Sequence, residues 1–78
     1  MIAEIDAPTI TGSTALDIAT RDAHRVYEDL SPYRIRIELA DDGWHVDYEL
    51  KNRRLCGGGP HYIIDATTGE ITWKRYDQ

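Results

Sequence analysis

The single cysteine of the chain is the first candidate for chemistry. Cys56 stands beside three consecutive glycines and five residues before His61. A catalytic thiol needs a lowered pKa and an oriented base, and neither is visible in the sequence. A packing thiol is therefore the favoured interpretation. A Cys-dependent enzyme is the more distant alternative, and we expect the chain not to be an enzyme.

Metal and phosphate sites are the next candidates. The three histidines, His24, His45 and His61, match no zinc-binding spacing, and only one thiol could join them. The glycine run 57–59 could present backbone N–H groups to an anion. It lacks the Lys-Ser/Thr of a P-loop, however, and it precedes a predicted strand instead of a helix. We expect no metal and no cofactor.

A set of acids could also act in acid–base catalysis; its members are Glu38, Asp47, Glu49 and Asp65. Arg34 and Arg36 stand on a strand predicted to lie beside two of these acids. Cross-strand ion pairs therefore explain the acids without invoking catalysis.

Length and charge restrict the class of protein. Seventy-eight residues with 41% apolar side chains predict one small globular domain, 1–78. The net charge of −5, from 14 acids and nine bases, disfavours nucleic acid as a partner. A single cysteine allows no internal disulfide. Because the N-terminus resembles no signal peptide and no apolar span is present, we expect a cytoplasmic protein with no membrane partner.

The patterning predicts an N-terminal arm, one helix and a sheet. The arm is 1–12. A stripe with three- and four-residue spacing predicts a helix within 13–30, about 14–29, with Ser13 as N-cap, Asp17 in its first turn and Ser31-Pro32 as its end. The stripe consists of Ala15, Leu16, Ala19, Ala23, Val26, Tyr27 and Leu30.

Strict alternation predicts strands at 33–39 and 44–50, and two further strands follow at 60–65 and 70–76. They form two hairpins, so the fold class is α+β, with one helix packed on a four-stranded antiparallel sheet within 33–76. The expected inner face holds Ile35, Ile37, Val46, Tyr48 and Ile64, with Trp44 and Trp73 as further core anchors.

Glycine and proline fix the connection between the hairpins. Gly57, Gly58 and Gly59 are expected to include a positive φ or a close backbone approach, because three glycines otherwise lower stability. Pro60 is expected to begin the third strand, since it cannot donate a ladder hydrogen bond. Gly69 is expected in the turn that follows.

A binding surface is predicted on the second face of the sheet. Apolar side chains there would need cover from the N-terminal arm, a partner or a second copy of the chain. The adjacent loop carries the basic cluster of Lys51, Arg53 and Arg54, a candidate contact for an acidic partner, with a solvated loop as the alternative. The predicted partner-binding residues are Lys51, Arg53, Arg54, His61, Ile63, Lys74 and Tyr76.

Two resemblances bear on function. The helix from Ser13, the alternating strands and the hairpin 62–71, Tyr-Ile-Ile-Asp-Ala-Thr-Thr-Gly-Glu-Ile, resemble a PepSY-type domain. The segment 57–65, Gly-Gly-Gly-Pro-His-Tyr-Ile-Ile-Asp, followed by Thr-Gly-Glu-Ile, resembles small bacterial immunity proteins of the nuclear-transport-factor-like class.

The second resemblance implies a non-enzymatic protein-binding domain, an immunity or inhibitor protein that neutralises a toxin or effector. The first implies the alternative, a regulatory or structural module that inhibits a peptidase or serves an assembly. Neither resemblance implies catalytic residues. The expected partner is another protein, and a homodimer is an open possibility.

Overall fold

The computed structural model describes residues 9–52 and 58–77, in which one helix is followed by four strands. The strands pair antiparallel in the order β1-β2-β3-β4, which confirms the predicted α+β class with a four-stranded sheet. The elements are α1 (Gly12–Ala23), β1 (Tyr33–Ala40), β2 (Gly43–Leu50), β3 (Pro60–Ile64) and β4 (Ile71–Tyr76).

Helix α1 begins earlier than its pattern predicts. Thr11 is the N-cap, and its side chain accepts a hydrogen bond from the Thr14 N–H at 3.1 Å. The prediction of Ser13 as N-cap is therefore wrong, and Asp17 lies beyond the first turn. Both threonine and serine can cap, so residue type alone does not decide between them.

Helix α1 also ends earlier, at Ala23, with His24 as C-cap. The next N–H groups, of Arg25 and Val26, donate three residues back, to the carbonyls of Asp22 and Ala23, at 3.0 Å each. Such bonds tighten the chain out of α-helical geometry. The predicted continuation of the helix to about residue 29 is wrong.

Tyr27 explains why the chain leaves the helix. Its ring meets Tyr33 edge-on at 6.0 Å and Tyr76 at 6.1 Å, and its hydroxyl donates to the Asp77 carbonyl oxygen at 2.7 Å. These tertiary contacts outweigh the weak helix propensity of aromatic and β-branched residues. Val26, predicted on the buried stripe, is 50% exposed as a consequence.

The core lies between α1 and the middle strands. The helix contributes small side chains and the sheet contributes large ones, so the helix approaches the sheet closely. A hydrogen bond of 2.6 Å between the Thr20 and Tyr48 hydroxyls joins the two layers. The buried apolar residues are Ala15, Ala19 and Ala23 on the helix, and Val46, Tyr48, Tyr62 and Ile64 on the sheet.

Strand β1 forms the edge of the sheet and is only partly covered. Its register places Ile35 opposite Tyr48 and Ile37 opposite Val46, so both isoleucines lie on the helix-facing side as predicted. They are nevertheless 44% and 37% exposed, and Leu39 is 45% exposed. Their predicted place on the inner face is confirmed, but they stay partly exposed because one helix covers the middle strands more fully than the edge.

Two glycines lie where a side chain would collide with a neighbouring strand. Gly43, after the Asp41-Asp42 turn, has φ +128°, and a side chain there would collide with the Ile64 carbonyl. At Gly59, a Cβ would lie 2.7 Å from the Tyr48 Cβ, which is the close approach predicted for the glycine run. Gly58 is more open, with its nearest neighbour at 3.7 Å.

The other turn residues agree with the sequence or lie outside the described residues. Pro60 begins β3, and Gly69 has φ +80° in the turn before β4. Gly57 and most of the N-terminal arm fall outside the described ranges.

Candidate functional site

A bulge in β4 decides which side chains reach the outer face of the sheet. Ile63 pairs with Trp73, whereas Ile64 pairs with Ile71, so Thr72 is an extra residue in the ladder. An extra residue reverses the alternation that follows it. Trp73 therefore lies on the outer face. The same shift determines the faces on which Lys74 and Tyr76 lie.

The shift corrects three predicted placements. Trp73 was expected in the core, but it is 45% exposed beside Ile63. Lys74 and Tyr76 were expected on the outer face, but both extend toward the helix and bind Asp22. The prediction of Ile63 on the outer face is confirmed.

The outer face contains a concavity of about 400 Å³. Apolar side chains form one part of its lining and charged or polar side chains the other. This mixture is typical of sites that bind other molecules, in which apolar surface provides affinity and a few polar groups fix orientation. The lining residues are His45, Asp47, His61, Ile63, Trp73 and Arg75.

His61 links two carboxylates at one end of this concavity. Its Nδ1 lies 2.8 Å from Asp47 Oδ1, and its Nε2 lies 3.0 Å from Asp77 Oδ2. A neutral imidazole has one N–H donor and a carboxylate only accepts, so both contacts are hydrogen bonds at once only when both ring nitrogens carry a proton. The chain of contacts joins β2, β3 and the segment after β4.

Arg75 completes the polar side of the site. Its Nε lies 3.0 Å from Asp77 Oδ1, and its NH2 group donates to Oδ2 at 3.1 Å. The hydrogen bonds from Arg75, together with the nearby His61, hold the pKa of Asp77 below its usual range. Asp77 is thus an anion that orients both His61 and Arg75.

His45 belongs to the same lining but has a separate partner. Its Nε2 lies 2.6 Å from Asp42 Oδ1 in the turn between β1 and β2. This hydrogen bond lowers the pKa of Asp42. The histidines and the arginine around the concavity are therefore each hydrogen-bonded to a neighbouring carboxylate.

A second polar cluster lies on the opposite side of the sheet, under α1. Asp22 is 8% exposed and accepts hydrogen bonds from Tyr62 at 3.0 Å, from Lys74 at 3.2 Å and from the hydroxyl of Tyr76. These contacts tie the last turn of the helix to β3 and β4. Asp22 lies three residues after Ala19 on the apolar stripe, and that position is the one sequence signal that could have identified it.

The Asp22 carboxylate is held in its ionised form. Burial would raise its pKa, but the hydrogen bonds from Tyr76, Tyr62 and Lys74 outweigh burial and lower it. Burial and the adjacent Asp22 raise the pKa of Tyr62, which keeps its hydroxyl a donor. Because three donors already surround the carboxylate, we interpret the cluster as a polar clamp between helix and sheet.

The predicted partner-binding residues are divided by the structure. His61 and Ile63 meet in the concavity, Lys51 is exposed just after β2, and Lys74 and Tyr76 lie on the helix side. Arg53 and Arg54 lie outside the described residues, as does Cys56. Sequence reasoning missed the contributions of Asp47, Trp73, Arg75 and Asp77 to the site.

Three of the four acids considered for catalysis, Asp47, Glu49 and Asp65, have structural partners. Glu49 lies 3.4 Å from the Arg34 Nε and 3.7 Å from Arg36, which are the predicted cross-strand ion pairs. Asp65 accepts from the Thr67 and Thr68 N–H groups at 2.7 and 2.9 Å. Within 9–52 and 58–77, no three His, Cys, Asp or Glu side chains are placed to hold a metal ion.

Comparison of the chain with family models, curated proteins and solved structures gives no match. In the described part of the chain, no helix has the length and apolar character that crossing a membrane requires.

Proposed function

We propose that this protein is a non-enzymatic protein-binding domain that contacts its partner through the outer face of the sheet. The observation that carries the proposal is Trp73. A tryptophan 45% exposed, paired with Ile63 and beside Arg75, stands on a face whose other side chains are largely polar. Tryptophan and arginine are the side chains that most often dominate the binding energy of protein interfaces.

The preordered polar groups around Trp73 support the same proposal. Asp77 is bonded to both His61 and Arg75, so their side chains are held before a partner arrives. Binding then costs less side-chain entropy than it would with free side chains. The bulge at Thr72 serves the function directly, since without it Trp73 would face the helix.

The biological role that we propose is that of a cytoplasmic immunity or inhibitor protein. It rests on the resemblance of the segment from Gly57 to Ile71, and the net charge of −5 suits a basic toxin or effector as partner. The second candidate is a PepSY-like regulator of a peptidase, which is favoured by the order of one helix before an antiparallel sheet. The identity of the captured partner separates the two.

The test is capture of the partner from the native organism by tagged wild type, Trp73→Ala and Val26→Ala. Val26 is a matched control because it is exposed and apolar but does not line the concavity. Loss of a hot-spot tryptophan costs about 2 kcal/mol or more, which is roughly a 30-fold weaker complex. We expect Trp73→Ala to lose one specific protein that Val26→Ala retains.

The surface and the biological role are refuted by different outcomes of this capture experiment. A Trp73→Ala protein that melts like wild type and still captures the same partner at wild-type level would refute the outer-face site. A captured partner that is neither a toxin nor an effector would refute the immunity role, and a peptidase would support the alternative.

A further inference from the structure

Within residues 9–52 and 58–77, the outer edge of β1 has no strand paired to it. Lys51 N–H donates to the Pro32 carbonyl oxygen at 3.0 Å, continuing the β1–β2 register. Hydrogen-bonded pairs alternate along an antiparallel ladder, so the even-numbered residues of β1 bond to β2. The odd-numbered residues direct their N–H and C=O groups outward. The Tyr33 N–H donates to the Leu30 carbonyl oxygen at 3.1 Å, whereas no strand of the described chain pairs with Ile35, Ile37 and Leu39 on that side.

The same edge has little of the usual protection against pairing. Natural edge strands carry charged side chains, especially lysine, or proline, a bulge or an inward-pointing charge that discourages a second chain. Strand β1 has neither lysine nor proline, and its register with β2 is unbroken over eight residues. Its charged side chains, Arg34, Arg36 and Glu38, alternate with the helix-facing residues and therefore lie on the outer face. On its helix-facing side, Ile35, Ile37 and Leu39 form an apolar stripe that is 37–45% exposed.

The charges of β1 select one register for pairing with a second copy. When Ile37 lies opposite Ile37 of the second copy, Ile35 lies opposite Leu39 and Arg36 lies opposite Glu38 of that copy. Apolar side chains then meet apolar ones, and opposite charges meet twice by symmetry. A shift by two residues either way places Arg36 opposite itself or Glu38 opposite itself, which is unfavourable.

We propose that two copies of this chain associate through antiparallel pairing of their β1 edges, with Ile37 at the two-fold axis. The product is a continuous eight-stranded sheet with both helices on one face. It covers the apolar stripe of β1 and leaves the outer face of both copies free, with the two Trp73 side chains near opposite edges of the joined sheet. The proposal therefore does not depend on the partner surface proposed above.

The first measurement is sedimentation equilibrium of the full chain at about physiological salt, where surface charges remain only partly screened. We expect a concentration-dependent mass approaching twice that of the 8.9 kDa chain. A mass of one chain at every concentration would overturn the proposal. So would a monomer that dimerises only after removal of residues 1–8, because the chain's own N-terminal arm would then be the occupant of the edge.

Charge variants test the register. Arg36→Glu and Glu38→Arg each place like charges opposite one another at two symmetric positions, so each alone should dimerise about tenfold more weakly or worse. An equimolar mixture of the two single variants restores both opposite-charge pairs, and so does the double variant. We expect dimers in both of those samples.

Arg34→Glu is the matched control. It changes the charge by the same amount and removes a similar contact to Glu49, but Arg34 lies opposite Ala40 of the second copy in the proposed register. Dimerisation should stay close to wild type. The proposed pairing would be overturned if Arg34→Glu weakened dimerisation as strongly as Arg36→Glu. It would also be overturned if the mixture of Arg36→Glu and Glu38→Arg failed to recover the dimer.

Discussion

Neutralising Asp22 should destabilise the domain by an amount that the structure allows us to estimate. Its carboxylate accepts from Tyr62, Tyr76 and Lys74 while only 8% exposed. A hydrogen bond to a charged group contributes about 1 kcal/mol more to stability than a hydrogen bond between neutral groups. Lys74 is half exposed and can return to water, so it is discounted. The weakening of the two tyrosine hydrogen bonds should therefore lower the free energy of unfolding of Asp22→Asn by about 2 kcal/mol.

The effect should depend on pH in a defined direction. The pKa of Asp22 lies below its ordinary value of 3.8 in the folded state, so the unfolded chain binds the proton more readily. The stabilisation by the Asp22 carboxylate is fully present above the pKa that Asp22 has in the unfolded chain. It is lost as the pH falls through the pKa that Asp22 has in the folded protein. The difference between wild type and Asp22→Asn should therefore be largest near neutral pH and should shrink on acidification.

The assay is urea unfolding followed by circular dichroism at neutral and acidic pH. A loss of about 2 kcal/mol corresponds to roughly 10 °C in melting temperature for a domain of this size. Asp17→Asn, on an exposed part of the same helix, is the control and should change stability by less than about 0.5 kcal/mol. An Asp22→Asn variant within that margin of wild type, or a difference that does not vary with pH, would refute the clamp.

Two further perturbations test the packing. Gly59→Ala should lower stability by about 1–3 kcal/mol because its Cβ would overlap Tyr48. Gly58→Ala should lower it by less than about 1 kcal/mol. Equal melting temperatures for the two variants would contradict the close approach at Gly59. Val46→Asp places an unpaired charge at a fully buried position, which costs several kcal/mol and should abolish cooperative unfolding; a cooperative transition at the wild-type temperature would show that Val46 is not in the core.

The strands were predictable because their signal is local. Alternation in β1 and β2 gives both their bounds and the face of each side chain, and Asp41-Asp42-Gly43 identifies the turn between them. A period of two persists whatever surrounds the strand. The degree of burial was not predictable from the pattern, since it depends on how far one helix extends over the edge.

The site was less predictable because it depends on single-residue events. The bulge at Thr72 changes the faces of Trp73, Lys74 and Tyr76 together, and no glycine marks it in the sequence. The end of α1 depends on where Tyr27 meets two distant tyrosines, which is a tertiary contact. Similarly, the stripe position of Asp22 has meaning only once Tyr62 and Lys74 are known to face it.

Oxidative footprinting of the two tryptophans in the captured complex tests the outer-face site most directly. Trp73 is 45% exposed on that face, whereas Trp44 packs against the core and donates its indole N–H to the Ile10 carbonyl oxygen. Trp44 therefore serves as an internal control in the same molecule. We expect partner binding to suppress oxidation of Trp73 several-fold and to leave Trp44 unchanged. Undiminished oxidation of Trp73 in a saturated complex would contradict the account.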